Sequence, residues 1–122
     1  MQQPVLFLSH GGGPWPWLDG PFRRGFDWLE ASLKAIPAQL PEKPRAVLVA
    51  SGHWEEPRFT VSTAAMPGMV YDYYGFPEHT YHIRYPAPGA PELAERVVDL
   101  AQGAGIAMGR DPARGYDHGT FS

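Results

Sequence analysis

PVLFLSHGGGP, residues 4–14, is the stretch that indicates the fold class. Its apolar run at 5–8 leads into His10 and three glycines, a pattern that predicts a buried strand entering a loop. A helix is predicted over 19–37, because proline stands at its first helical position and apolar residues follow at helical spacing. A second buried strand is predicted at 45–52. Strand, helix and strand in this order form a βαβ unit, which favours a parallel sheet with a right-handed crossover.

The rest of the chain continues the α/β pattern. Residues 58–63 alternate polar and apolar side chains and predict a third strand, whereas 64–90 are mostly loop. A second helix is predicted to begin at Pro91, with Gly103 or Gly105 at its end. Its expected inner face consists of Leu93, Val97, Leu100 and Ala101. A short strand is expected at 106–108, and we expect residues 1–122 to form one domain.

Composition excludes several classes of protein. A hydrophobic content of 43% and an aromatic content of 13% argue against a disordered chain, and 14 Pro with 14 Gly indicate long shaped loops. The net charge of −3, without long runs of like charge, argues against nucleic-acid or membrane partners. The chain lacks cysteine and begins without a basic segment, so we expect no disulfide, no signal peptide and a cytoplasmic location.

Two histidines occupy equivalent places after predicted strands. His10 follows the first strand, and His53 follows the second. Ligands bind at the carboxyl ends of parallel strands, and neutral imidazole binds Fe, Zn, Cu or Ni, so both histidines are candidate metal ligands. The alternative is that each is a hydrogen-bonding loop residue. Glu55 and Glu56 are either carboxylate ligands or part of a solvated strand end.

Other polar and aromatic residues have open roles. His118 stands in a loop sequence and is a candidate acid–base group, while Asp117 either orients the His118 imidazole or caps a turn. His79 and His82 have the i, i+3 spacing that suits a metal on a helix, but we expect their segment to be extended and on the surface. The aromatic stretch at 71–77 predicts loop packing or a wall for a flat ligand. Further ring surface near the two candidate ligands comes from Trp15, Trp17 and Trp54.

Five motifs occur in an order that resembles one family. They are LSHGGGP at 8–14, SGHWE at 51–55, YDYYGFP at 71–77, YPAPG at 85–89 and DHG at 117–119. Together they resemble the class III extradiol ring-cleavage dioxygenases, in the DOPA-dioxygenase-like branch of the LigB superfamily. The resemblance extends over nearly the whole chain.

This resemblance implies a fold, a reaction and site residues. The implied fold is a three-layer α/β sandwich with a central, mostly parallel or mixed sheet and helices on both faces, incomplete in this chain. The implied reaction is opening of a catechol ring by O₂ at non-haem Fe(II), with Zn(II) as an alternative metal. His10 and His53 match metal ligands, and His118 matches a catalytic pocket histidine that is not itself a ligand. The implied substrate contacts are Tyr74, Phe76 and Asp117.

One departure from the family modifies these expectations. Members are longer, and their C-terminal half supplies the remaining metal ligation and another catalytic histidine. We therefore expect an N-terminal fragment that binds iron weakly, cleaves catechols poorly and forms homo-oligomers through uncovered apolar surface. The alternatives are an inactive truncated fragment, a metal-free binding protein on the same fold, as in the Memo family, and an enzyme similar to sirohydrochlorin chelatases.

Overall fold

The chain is described by a computed structural model over residues 2–122. Backbone contacts divide it into two compact units. The first unit extends to Val49 and includes Ser122, and the second unit is Ala50–Phe121. The prediction of one domain over residues 1–122 stays a prediction.

The first unit contains two short α-helices where the sequence predicts one. Helix α1 is Gly20–Arg24 and helix α2 is Asp27–Lys34, with short 3-10 helices at Trp15–Trp17 and Ile36–Gln39. The break follows α1 at Gly25, whose amide donates to the carbonyls of both Pro21 and Phe22. Glycine is a poor helix former, which explains why the apolar periodicity continues while the helix does not.

The two predicted buried strands of the first βαβ unit are wrong for this structure. Residues 5–8 and 45–50 are neither helix nor strand, and Phe7 and Val47 are exposed. A strand is stable only when a neighbour accepts its backbone hydrogen bonds, and neither segment joins the sheet described within residues 2–122. The apolar residues of these segments therefore indicate a propensity to form strands, but they do not show which strand would pair with them.

The second unit contains a parallel βαβ arrangement farther along the chain. Strand β1 is Phe59–Ser62 and strand β2 is Met108–Asp111, paired parallel with Phe59 opposite Met108 and Ser62 opposite Asp111. Helix α3, Pro91–Gly103, connects the strands and packs on both of them. The predicted strand at 58–63 is confirmed, and the strand expected at 106–108 lies slightly later.

The buried face of helix α3 matches the predicted one only in part, since Leu93, Val97 and Ala101 are half-buried. Its buried residues are Ala94 and Val98, whereas Leu100 is 57% exposed. These two small side chains stand four residues apart and let the helix lie close to the sheet. Arg110 of β2 binds both carboxylate oxygens of Glu95, at 2.6–3.0 Å, on the neighbouring turn. Two backbone bonds around Gly105 end the helix in a Schellman motif.

The paired segments continue beyond the two strands and lead to the candidate site. Met69 and Tyr116 form a parallel bridge, in which the Tyr116 amide donates to Gly68 at 2.8 Å and the Val70 amide donates to Tyr116 at 2.7 Å. Helix α4, His118–Phe121, follows directly. Asp72 and His118 therefore stand at the carboxyl ends of neighbouring parallel segments.

The long loop between β1 and α3 contains one local element. Residues Glu78–His82 form a 3-10 helix, so the expected extended conformation is wrong there. His79 and His82 are exposed as predicted, and His82 pairs with Glu78 at 3.0 Å. Among residues 2–122, no helix has the length and apolar character needed to cross a membrane.

The close approach at Gly115 gives a test of this fold. A Cβ atom at Gly115 would lie 2.6 Å from the carbonyl oxygen of Gly68, so Gly115→Ala forces the bridge apart. We expect the free energy of unfolding to fall by about 1–3 kcal/mol, as for other overpacked sites. Urea unfolding measures this change. The matched control is Gly103→Ala, where a Cβ meets no atom within 4 Å, and equal stability of the two variants would contradict the assignment.

Candidate active site

Two histidines of the second unit lie against each other. The ring centroids of His53 and His118 are 4.1 Å apart, and a ring nitrogen of one lies within 4.8 Å of a ring nitrogen of the other. His53 is on the loop before β1, with its side chain 35% exposed, whereas His118 begins α4 and is 7% exposed. The pair thus has one solvent-accessible and one buried imidazole.

Asp72 holds this pair and is a residue that sequence reasoning missed. Its Oδ1 accepts hydrogen bonds from the His118 amide at 2.9 Å and from the His118 ring Nδ1 at 2.8 Å. Its Oδ2 lies 3.7 Å from Nδ1 of His53. Burial opposes ionisation, but the hydrogen bonds and charge of His118 outweigh it and lower the pKa of Asp72 below its usual value.

The Asp72 contact assigns the tautomer of His118. An ionised carboxylate only accepts hydrogen bonds, so Nδ1 of His118 carries the proton in this contact. In neutral imidazole, Nε2 then keeps its lone pair. That nitrogen can take a proton or ligate a metal, an arrangement in which a carboxylate orients the ring.

An open cavity lies beside His53. Its volume is about 490 Å³, which is within the range of small-molecule sites. Glu56 accepts a hydrogen bond from the indole of Trp54 at 2.9 Å, so one of the two glutamates is fixed at the cavity. Both glutamates are exposed. The lining residues are Gly52, His53, Trp54, Glu55, Glu56, Asp72 and Arg114.

Aromatic side chains also pack against His118. The ring of Tyr73 lies 5.8 Å from the His118 ring and 5.5 Å from that of Phe76, in edge-to-face contacts. Burial raises the pKa of Tyr73, whose hydroxyl donates to the carbonyl of Thr80. For Tyr73 and Phe76, these contacts favour packing within the loop at 71–77 over a wall for a flat ligand.

The predicted substrate residues occupy three different environments. Tyr74 is 91% exposed, and Phe76 packs on Tyr73. Asp117 is 2% exposed, and its carboxylate binds Ser51 and Arg114. These three residues do not line the cavity described above. Their roles as substrate contacts stay predictions.

His10 belongs to the first unit. Its carbonyl oxygen accepts a hydrogen bond from the indole nitrogen of Trp15 at 2.6 Å, and Trp15 in turn stacks on Phe26. The predicted pairing of His10 with His53 stays a prediction. Within the second unit, the neighbouring rings of His53 and His118 provide two imidazoles, which are donors that suit Fe(II) and Zn(II).

Loss of the Asp72 charge tests the orientation of His118. In Asp72→Asn, the amide can donate as well as accept, so we expect the Nδ1–H preference of His118 to be lost. Long-range ¹H–¹⁵N NMR of the imidazoles measures the tautomer directly. Glu78→Gln is the matched control, because it removes a carboxylate from the exposed His82 and leaves His118 untouched. An unchanged His118 spectrum in Asp72→Asn would show that Asp72 does not set the tautomer.

Comparison with known proteins covers almost the entire chain. Residues 4–122 match the family model described as the catalytic LigB subunit of aromatic ring-opening dioxygenase. The dioxygenase tasH of Hapsidospora irregularis is 40% identical over 97% of this chain and 38% of its own length. The 4,5-DOPA dioxygenase extradiol of Escherichia coli K12 is 32% identical over 98% of this chain and 41% of its own. The Beta vulgaris protein of the same name is 43% identical over 66% of this chain and 30% of its own length.

These relatives are considerably longer than the chain. The chain spans between 30% and 41% of their lengths. The identities given above thus describe one portion of each relative.

Proposed function

We propose a function from one premise: the chain belongs to the family of the catalytic LigB subunit of aromatic ring-opening dioxygenases. The function is extradiol opening of a catechol ring, of the DOPA type named for two relatives, with O₂ as the second substrate. The observation that carries the proposal is the His53–His118 pair with Asp72 behind it. A cavity opens at His53, where a catechol has access.

The proposed metal ligands are His10 and His53, with Fe(II) as the metal and Zn(II) as the alternative. The chemistry of the two side chains supports this choice, since imidazole is a common ligand of both ions. When bound, the metal supplies a Lewis acid that lowers the pKa of the catechol hydroxyls and leaves open positions for substrate. Glu55 and Glu56 are candidates for further ligation, because both line the cavity beside His53.

His118 is proposed as the group that moves the proton. Its Nε2 lone pair accepts a proton from a catechol hydroxyl, while Nδ1–H stays hydrogen-bonded to Asp72. The ionised carboxylate stabilises the imidazolium that results. The same nitrogen then returns the proton to the ring-opened product. Burial of His118 keeps competing water away from this exchange.

The larger family fold is also a proposal. We propose a three-layer α/β sandwich with a mostly parallel or mixed sheet and helices on both faces, in which the exposed apolar side chains at 5–8 and 45–49 are covered. Until they are covered, this surface favours self-association, which supports the predicted homo-oligomer. The cytoplasmic location likewise stays a prediction.

Anaerobic titration with Fe(II) tests the metal site. We expect weak binding by the 122-residue chain, and a further loss of more than about tenfold in His10→Ala and in His53→Ala, since even outer-shell changes cost 10–100-fold. His79→Ala is the control, because His79 is exposed on the 3-10 helix. Equal affinity in all four proteins would contradict the ligand assignment. Catechol binding without any metal binding would favour the metal-free binding protein.

Single-turnover assays test the role of His118. The expected reaction consumes one O₂ for each DOPA, at a rate below that of the Escherichia coli relative assayed alongside. His118→Ala should lower the rate by about 10²-fold or more, the typical contribution of a positioned acid–base group, while bound iron stays near the wild-type level. Oxygen uptake and iron content are measured on the same samples. Loss of the bound iron in His118→Ala would instead show that His118 is a metal ligand.

A further inference from the structure

We propose that Asp117 is a positioning residue that holds His53 opposite His118, rather than a substrate contact. His53 stands on the loop before β1 and His118 at the start of α4, 65 residues apart in sequence. Their rings nevertheless approach to 4.1 Å. A link between the His53 loop and the start of α4 is needed to maintain that approach, and Asp117 provides it.

Both oxygens of the Asp117 carboxylate are occupied within the protein. Oδ1 accepts from the hydroxyl of Ser51 at 2.8 Å, and Oδ2 accepts from Nη2 of Arg114 at 2.9 Å. The side chain is 3% exposed. A buried carboxylate is stable only when its oxygens are paired, and here the partners are one hydroxyl and one guanidinium. The strongest acceptor positions of Asp117 are therefore already used.

Both flanks of His53 are tied to this carboxylate. On one side, the Ser51 hydroxyl that donates to Asp117 also accepts from the His53 amide at 3.1 Å. On the other side, the Arg114 guanidinium lies 5.0 Å from the centre of the Trp54 ring. The carboxylate thus fixes the backbone before His53 and the side chain after it, and it directly precedes His118.

The close contact at Gly119 shows how tightly the loops meet. A Cβ atom there would lie 2.7 Å from Cδ2 of His53 and 2.9 Å from the Ser51 hydroxyl. Only a residue without a side chain allows the turn at 117–119 to lie this close to the His53 loop. The hydrogen bonds of Asp117 act at the same contact and set its geometry.

The test compares Ser51→Ala and Asp117→Asn with a matched serine. Ser51→Ala removes only the hydroxyl that links Asp117 to the His53 amide. Ser62→Ala is the control, because the Ser62 hydroxyl also donates into this region, to the Arg114 carbonyl at 3.1 Å, without touching Asp117. Urea unfolding establishes that each variant is folded. The metal-free full chain is then examined by NMR for the cross-relaxation between the ring protons of His53 and His118.

We expect this signal to weaken in Ser51→Ala and Asp117→Asn and to stay unchanged in Ser62→Ala. In a second measurement, which rests on the proposed function, Co(II) affinity falls about tenfold in the same two variants, the usual effect of an outer-shell change. The double variant with both changes should lose no more Co(II) affinity than Asp117→Asn alone, because both changes break the same chain of hydrogen bonds.

A full His53–His118 signal in Ser51→Ala would overturn the proposal and leave Asp117 with a stabilising role only. If Asp117→Asn does not fold, Ser51→Ala decides the question alone. If the unmodified chain does not bind Co(II), the metal site proposed above fails, whereas the NMR comparison still tests Asp117 independently.

Discussion

Parallel pairing between the segments at 59–70 and 108–116 is the constraint on which the site of the second unit depends. Strands β1 and β2 begin the pairing, and the Met69–Tyr116 bridge continues it to the point where both segments turn away from the sheet. Because the segments run parallel, the residues that follow them emerge at the same edge. Asp72 and His118 meet there at 2.8 Å. Helix α3 keeps the pairing in register by packing on both strands.

Two carboxylates at this edge have different functions because their hydrogen-bond partners differ. Asp117 is paired with a serine hydroxyl and an arginine, so its charge is used within the protein. Asp72 is paired with the amide and ring of His118 and faces His53 as well, so its charge acts on groups that bind and transfer protons. The first carboxylate arranges the histidines, and the second sets how one of them is protonated. Removing the Asp117 carboxylate would therefore change the positions of the histidines, whereas removing the Asp72 carboxylate would change the protonation of His118.

The sequence predicts the second unit better than the first. Alternation at 58–63 and the proline and glycine around α3 are local signals, and these elements form as predicted. The segments at 5–8 and 45–50 are apolar enough for strands, but a strand also depends on a partner, and sequence shows the propensity without the pairing. Sequence also singles out His53 and His118 as candidates. It misses Asp72 and Arg114, because a carboxylate between tyrosines or an arginine in a loop has no distinctive spacing until the fold places it beside a histidine.

Preorganisation explains why these hydrogen bonds matter to a site of only a few residues. Fixing the backbone of one residue costs about 1–2 kcal/mol in conformational entropy, whereas one hydrogen bond contributes about 1 kcal/mol net. No single contact can therefore hold the loop at 51–54 against the turn at 117–119. The connected set does so, because the Ser51 hydroxyl, the Arg114 guanidinium and the close packing at Gly119 share one ordering cost. Under the proposed function, a metal ion or catechol that binds at His53 would meet imidazoles that are already ordered, and more of its binding free energy would remain for affinity and chemistry.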